Sequence, residues 1–414
     1  MKNYLKQHPY LLPVCILVLV LLFAAIPGKE PGDVHSGIYF YDDNGDPLTG
    51  WQTIEGSRYY LGEDGQAHVG VQCIDERYYY FMEDGSMATG WTETEQGNYY
   101  LRSNGTLVTG WFSLEGQRYY LTLEGAATGI REVDGASYVF DQDGKLTSGW
   151  AELPDGTKAY GNENRHPVTG WLTVEGSRFH FGEDGILSTG WTEIDGFRFY
   201  FYSDGSPAQG KLTLEGKRTS FASNGQEVIL VNPWNYLPED YSVELSEVGQ
   251  EHRIAAIALE DLLKMLKDCE DAGMKPAICS AYRTQAYQEG LYQRRIDRYV
   301  EDGYSVEEAT ELAGRSVAIP GTSEHQLGLA VDIVDDMNWN LDESQAKMPT
   351  QKWLMENSWR YGWILRYPNE KSALTGIIYE PWHYRYVGRE IAAEIYKLDI
   401  CLEEYLTMLT PGVG

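Results

Sequence analysis

Gly50-Trp51 recurs down the chain as Gly70-Val71, Gly90-Trp91, Gly110-Trp111, Gly129-Ile130, Gly149-Trp150, Gly170-Trp171, Gly190-Trp191 and Gly210-Lys211, in steps of 19 to 21 residues. A fixed period of this length means an array of small structural units. In the clear units an aromatic pair follows, such as Tyr59-Tyr60, Tyr99-Tyr100 and Tyr119-Tyr120. A turn signal comes next: Glu63-Asp-Gly65, Glu83-Asp-Gly85, Ser103-Asn-Gly105 or Glu183-Asp-Gly185. Short runs around an Asp-Gly or Asn-Gly turn predict a hairpin. A single hairpin of this size cannot bury its own aromatic rings, so successive hairpins must stack into an all-β solenoid, here expected over residues 37–227. Trp51, Trp91, Trp111, Trp150, Trp171 and Trp191 are then candidate ligand faces. The competing reading makes the aromatics the core of the solenoid and the array a spacer. Val71, Ile130 and Lys211 show that some units carry no tryptophan face at all.

The period stops near Asn224-Gly225, and Leu230-Val-Asn-Pro-Trp-Asn-Tyr-Leu-Pro238 forms the joint to a different kind of sequence. Ile254, Ile257, Leu262 and Leu266 predict a helix ending at Gly273, and Pro276 to Ala281 a short strand. A helix through Tyr299 follows, then one opened at Ser305 by the capping box Ser-x-x-Glu308. Trp353 to Tyr361 and Glu390 to Met408 read as further helices. Helices interrupted by short strands predict an α+β domain over 228–414.

Within that domain His325 and Asp332 flank a small, apolar run, and Leu329 to Val334 reads as a buried strand. A carboxylate on such an element is costly unless it is paired or binds a metal; a turn-capping aspartate is the bland alternative. Glu380-Pro-Trp-His383 supplies a second cluster. His325, Asp332 and His383 with Glu380 left over match a catalytic zinc site, with three N/O ligands, an open position and a carboxylate to move protons. Pro381 predicts a bend that lets Glu380 and His383 approach the same ion. Glu324, nearest the ligands in sequence, points away from His325 if the segment is extended.

Ser323-x-His325-x6-Asp332 followed by Glu380-Pro-Trp-His383-Tyr-Arg-Tyr-Val-Gly388 resembles the VanY-type D-alanyl-D-alanine carboxypeptidases, zinc peptidases grouped with VanX dipeptidases and LD-carboxypeptidases. Ser280-Ala-Tyr-Arg283, Gln288 and Arg366-Tyr-Pro368 extend the likeness. It implies Zn2+ as cofactor and peptidoglycan stem peptides as substrate, with Glu380 as general base and acid. By the same resemblance Arg283 faces the zinc and engages substrate oxygen, while Gln288, Ser323 and Tyr367 surround the terminal D-alanine. Taken alone, Arg283 reads equally as a surface ion-pair partner. The array resembles the cell-wall-binding repeats of choline-binding proteins, glucan-binding proteins and clostridial toxins. In choline-binding modules a tryptophan usually precedes the aromatic pair and completes a cationic cage. Here Arg58, Asn98, Arg118, Arg178 and Arg198 stand in that place. Arginine repels a quaternary ammonium, so a wall glycan or teichoic acid is the expected ligand.

With 414 residues, more than one domain is expected. The 62 acidic against 33 basic residues, a formal charge of −29, are spread about evenly over both halves. This argues against nucleic acid as a partner and against basic-patch binding to anionic lipid; the bland alternative is that it keeps an exported protein soluble. Cys73, Cys269, Cys279 and Cys401 lack regular spacing and read as mostly free and buried. Tyr10 to Ile26 is apolar apart from Pro13, lies behind Lys2 and Lys6 and lacks a good cleavage site, which favours an uncleaved membrane anchor over a cleaved signal peptide; either way the remainder is exported. The expected order is a cytoplasmic N-terminus at 1–9, an anchor helix at 10–27, repeats over 37–227 and the zinc peptidase domain over 228–414. Other chemistries open to the same residues are LD-carboxypeptidase, D,D-dipeptidase and crosslink hydrolysis. A wall-binding scaffold with an inactive peptidase domain is the alternative from a different class.

Overall fold

The computed structural model describes residues 37–249 and 251–409. The expected anchor at Tyr10–Ile26 lies outside them, and among the described residues no helix is long and apolar enough to cross a membrane. The chain divides into two compact units. One runs up to Gly170 and includes Phe181–Leu187; the other comprises Trp171–His180 and Ser188–Gly414.

Among the described residues, nine antiparallel hairpins follow one another from Gly50 to Phe221. In the first, Trp51 pairs with Tyr60 and Gln52 with Tyr59. The tight turn is not the Asp-Gly pair that the sequence suggested. It is Glu55-Gly56, with φ of 51° and 86°, and the same form returns at Glu115-Gly116, Asp195-Gly196 and Glu215-Gly216. Two consecutive left-handed residues make the turn whose twist matches paired strands. At Asp64-Gly65 only the glycine has positive φ, so this pair makes the connection between hairpins instead. The Asp64 carboxylate accepts the Gln66 N–H at 3.0 Å, and the chain folds back to bridge Ala67 with Leu61.

Stacking in the first unit is local. Leu61, Phe81, Leu101, Leu121 and Phe140 close successive hairpins and are all buried. Trp51 packs edge-on against Tyr79 of the next hairpin at 4.9 Å, and Trp111 likewise against Tyr138 at 5.1 Å. Met87 N–H donates to Arg58 C=O, so the connection after one hairpin pairs with the strand of the preceding one.

The second unit is α+β. Its four-stranded antiparallel sheet runs in the order Pro276–Ser280, Ala330–Asp335, His383–Tyr386, Trp363–Leu365. The helix Ala256–Asp271 buries Ala258, Leu262, Met265 and Cys269 in one core cluster, together with Val331, Ile333, Tyr384 and Tyr386. The capping box at Ser305 is present and opens the helix Val306–Ser316. Where one helix was expected from Glu390 to Met408 there are two, Arg389–Leu398 and Leu402–Met408. Asp399 between them adopts φ 54°, which ends the first helix in a left-handed cap.

The last hairpins, Gly190–Phe201 and Gly210–Phe221, belong to this same unit. Ala222 and Val228 share a core cluster with Ile364, Ile391, Ile395 and Tyr405. Phe197 stacks on Tyr386 at 5.8 Å, and buried Gln226 donates to the Val387 carbonyl at 3.0 Å. Among the described residues no disulfide forms; Cys73 is exposed, and Cys269 and Cys401 are buried.

Candidate metal centre

Three neighbouring strands set the chemistry in one row. Asp332 lies opposite His383 on one side and opposite Ser280 on the other. Pro381 does impose the expected bend: His383 N–H closes a turn onto the Glu380 carbonyl at 3.2 Å, and the strand begins at His383. His325 comes from a short 3-10 turn, Glu324–Leu327, that ends in Gly328 at φ 72°. A side chain at Gly328 would be strained by that φ and would stand 3.2 Å from the Ala255 nitrogen, so glycine is needed for the chain to re-enter the sheet.

His325 Nδ1 donates to the Ala281 carbonyl at 2.7 Å, which leaves Nε2 facing Asp332 Oδ2 at 3.2 Å. His383 uses its other nitrogen: Nδ1 lies 3.1 Å from Asp332 Oδ1, and Nε2 points to Glu324 Oε2 at 3.4 Å. The imidazole rings stand nearly perpendicular, 4.9 Å apart. One ligand atom from each of His325, Asp332 and His383 lies within 4.8 Å of the others, all three residues being buried. Glu380 Oε2 sits beside this set, 3.9 Å from His383 Nδ1.

The electrostatics follow from burial and proximity. Burial alone would raise the Asp332 pKa, but His325, His383 and Arg283 outweigh it and hold the carboxyl well below its usual range. Burial, with the Arg283 charge, pushes His325 down to about 4. Burial opposes charge on His383 too, yet its bonds to Asp332 and Glu324 lift it to about 9. Burial pushes Glu380 up to about 7, with His383 opposing and Asp332 adding to the rise. Asp332 thus demands a cation in front of it, and without a metal the His383 proton answers that demand. Two imidazole nitrogens and one carboxylate oxygen, converging and buried with an unbonded glutamate alongside, fit zinc. Metal binding at such a site displaces the imidazole proton.

Arg283 is held rather than adrift on the surface. Nη2 donates to Asp332 Oδ2 at 2.9 Å, Nε to Ser280 Oγ at 2.9 Å, and Nη1 lies 3.5 Å from Gln288 Oε1. Gln288 is buried and donates to the Ala318 carbonyl at 2.7 Å. Ser323, buried, immediately precedes the 3-10 turn. The Tyr367 ring lies 4.7 Å from the His383 ring. The condition set for Glu324 is not met. The segment is a 3-10 turn rather than extended, and Glu324 is buried against His383, Arg366 and Arg385. Sequence reasoning gave Arg366 and Arg385 no role; an arginine within the strand His383–Tyr386 and another directly after the apolar strand Trp363–Leu365 were the available signal.

The six array tryptophans are spread one to a hairpin. Arg58, Arg118, Arg178 and Arg198 lie 4.1–4.2 Å over the rings of Trp51, Trp111, Trp171 and Trp191. Trp91, with Asn98 in the arginine's place, packs on Tyr119 at 4.7 Å, while Trp150 is 40% exposed beside Tyr160.

Comparison with known proteins matches residues 251–389 to the family model for VanY D-alanyl-D-alanine carboxypeptidases. Residues 68–101 match a choline-binding repeat and residues 49–67 a cell wall binding repeat. The chain is 36% identical over 143 residues to the bifunctional D-Ala-D-Ala dipeptidase and D-Ala-D-Ala carboxypeptidase VanXYC of Enterococcus gallinarum, covering 33% of this chain and 68% of that protein. The chain belongs to the VanY family. A D-alanyl-D-alanine carboxypeptidase of Enterococcus faecalis is 44% identical over 181 residues, 43% of this chain; the chain spans just under two thirds, 65%, of that relative's length. A crystal structure of a mutant VanY D,D-pentapeptidase from a VanB-type vancomycin resistance cassette, in complex with Zn(II), is 42% identical and covers 43% of this chain and 97% of its own, with a TM-score of 0.40. The VanY match takes in His325, Asp332, Glu380 and His383, together with Arg283, Arg366 and Arg385. Glu403 lies beyond it.

Proposed function

We propose that this chain is a zinc-dependent D,D-carboxypeptidase that removes the terminal D-alanine from peptidoglycan stem peptides, with its hairpin array directed to the cell wall. The observation that carries the reading is the convergence of His325, Asp332 and His383 with Glu380 just outside their reach. His325 Nε2, Asp332 and His383 Nδ1 would hold the ion. When bound, zinc supplies Lewis acidity at the scissile carbonyl and acidifies water at the open position. Glu380 takes the proton of the attacking water at a carboxylate oxygen and hands it to the departing D-alanine nitrogen. In the metal-free protein its burial raises the proton affinity of the carboxylate. Arg283, fixed by Asp332 and Ser280, presents a guanidinium to the substrate's oxygens, and Gln288, Ser323 and Tyr367 line the place of the terminal residue.

The array is read as wall-binding, with a glycan or teichoic acid as the ligand. Four indole faces already carry a guanidinium where a quaternary ammonium would have to sit. The choline-binding repeat match falls on residues 68–101, where Tyr78 and Asn98 replace the arginine. Tyr10–Ile26 is read as the membrane anchor, with the remainder of the chain outside.

Mass spectrometry of purified tetra- and pentapeptide muropeptides after incubation with the zinc-loaded protein tests the activity. Loss of one D-alanine from the pentapeptide, blocked by a chelator, is the expected result. Trimming of the tetrapeptide alone, or release of a D-Ala-D-Ala dipeptide, would replace this reading by LD-carboxypeptidase or dipeptidase. For the array, the full chain should sediment with cell walls and stay bound in choline; elution by choline would overturn the argument from the arginines.

A further inference from the structure

Glu324 is a buried carboxylate that the proposed reaction does not use. Its Oε1 accepts from Arg366 Nε at 2.7 Å and from Arg385 Nη1 at 3.0 Å, leaving Oε2 turned toward His383 Nε2. Glu324, Arg366 and Arg385 are 0–2% exposed. Each arginine is itself anchored. Arg366 forks onto Glu403 at 2.8 and 2.6 Å, and Arg385 donates to the carbonyls of Ile229 and Tyr386 at 3.1 and 3.0 Å. Three charges out of water are expensive, and apolar residues of similar volume would commonly be as stable or more so. Such a network calls for a purpose other than stability.

The geometry points to Glu324 as a positioning residue: it accepts the Nε2–H of His383 and so holds the ring with Nδ1 turned to the donor set. The inference rests on the metal-centre reading and extends it to a residue that touches no substrate. A histidine that binds metal through one nitrogen needs an acceptor on the other, to fix both tautomer and ring angle. His325 finds a main-chain carbonyl for this purpose, at Ala281. His383 is offered a carboxylate pinned by two guanidiniums. The same pinning removes Glu324 from proton transfer. One oxygen is taken by the arginines, and the other lies on the far side of the imidazole from Nδ1 and Glu380.

Two measurements on the full chain test this. In the zinc-loaded wild type, 15N NMR of labelled histidine should show His383 protonated at Nε2 and metal-bound at Nδ1. The Glu324→Gln variant should bind zinc about 10–100-fold more weakly in competition with a chromophoric chelator, and Glu324→Asp should recover part of the loss. Metal on Nε2 in the wild type overturns the inference without any variant, so it stays exposed to test even if Glu324→Gln does not fold. A folded Glu324→Gln protein with wild-type zinc affinity overturns it as well, while leaving the metal centre standing. A wild type that binds no zinc removes the metal-centre reading and this inference together.

Discussion

The hairpin array and the peptidase sheet solve opposite problems with the same chain. In the array each buried side chain is met by the neighbouring hairpins: Phe81 is covered by residues such as Trp51, Tyr79 and Met87. Charge stays outside, or lies flat on a half-buried indole as Arg58 does on Trp51. Around the metal centre the partners are remote in sequence. Glu324 meets Arg366, His383 and Arg385 at separations of 42, 59 and 61 residues, all of them buried. A repeated unit can lose one copy and remain a solenoid, whereas each group at the centre has one copy and a specified partner. The array should therefore fail gradually and the centre all at once.

The sharpest test of that contrast is ligand removal. His325→Ala or His383→Ala should abolish both zinc content, by elemental analysis, and D-alanine release, because two protein ligands do not keep the ion. Full zinc occupancy in either variant would mean that the centre has a redundancy it is not supposed to have. Glu380→Ala should keep the ion and lose about 10²–10⁴-fold in turnover. A zinc-free Glu380→Ala protein would instead place Glu380 among the ligands.

A core substitution in the array comes next. Phe81→Ala removes a fully buried ring and should cost its own unit about 3–5 kcal/mol. Differential scanning calorimetry should show that loss confined to one transition, with D-alanine release unchanged. A fall in activity to match would break the contrast between a tolerant array and an exacting centre.

Glu380 adds a pH signature to the metal-free protein. Its folded pKa is raised to about 7 from the ordinary glutamate value of 4.5, so the stability it contributes is present below about pH 4.5 and is lost as pH rises through 7. Glu380→Gln, which cannot ionise, should melt higher than the wild type at pH 8, and the gap should close toward pH 4.5. Equal melting temperatures across that range would show that burial does not burden the ionised carboxylate. The smallest effect belongs to Arg178, which pairs with Glu390 at 2.8 and 2.9 Å in an exposed setting. Arg178→Ala should change the stability of its unit by no more than about 1 kcal/mol, and a larger loss in thermal unfolding would mark that pair as a structural anchor.

Much of this was legible in the chain itself. A period near 20 residues specifies stacked hairpins because neighbouring units bury one another's aromatics, and contacts that close in sequence leave a periodic trace. The donor set was legible for a related reason. Histidine and aspartate on short buried segments have few other uses, and Pro381 announces the bend that turns Glu380 toward His383. Other features could not be read so directly. Both Glu55-Gly56 and Asp64-Gly65 are turn-forming pairs, and only the paired strands decide which of them closes the hairpin. The joining of the last hairpins to the core of Ile364, Ile391 and Tyr405 depends on surfaces that carry no shared pattern. Which nitrogen each histidine turns inward, and why Glu324 is buried between two arginines, was settled only by tertiary structure. Ring orientation and ionisation depend on charges and carbonyls delivered from distant segments, and a linear sequence records the identity of those groups without recording their distance.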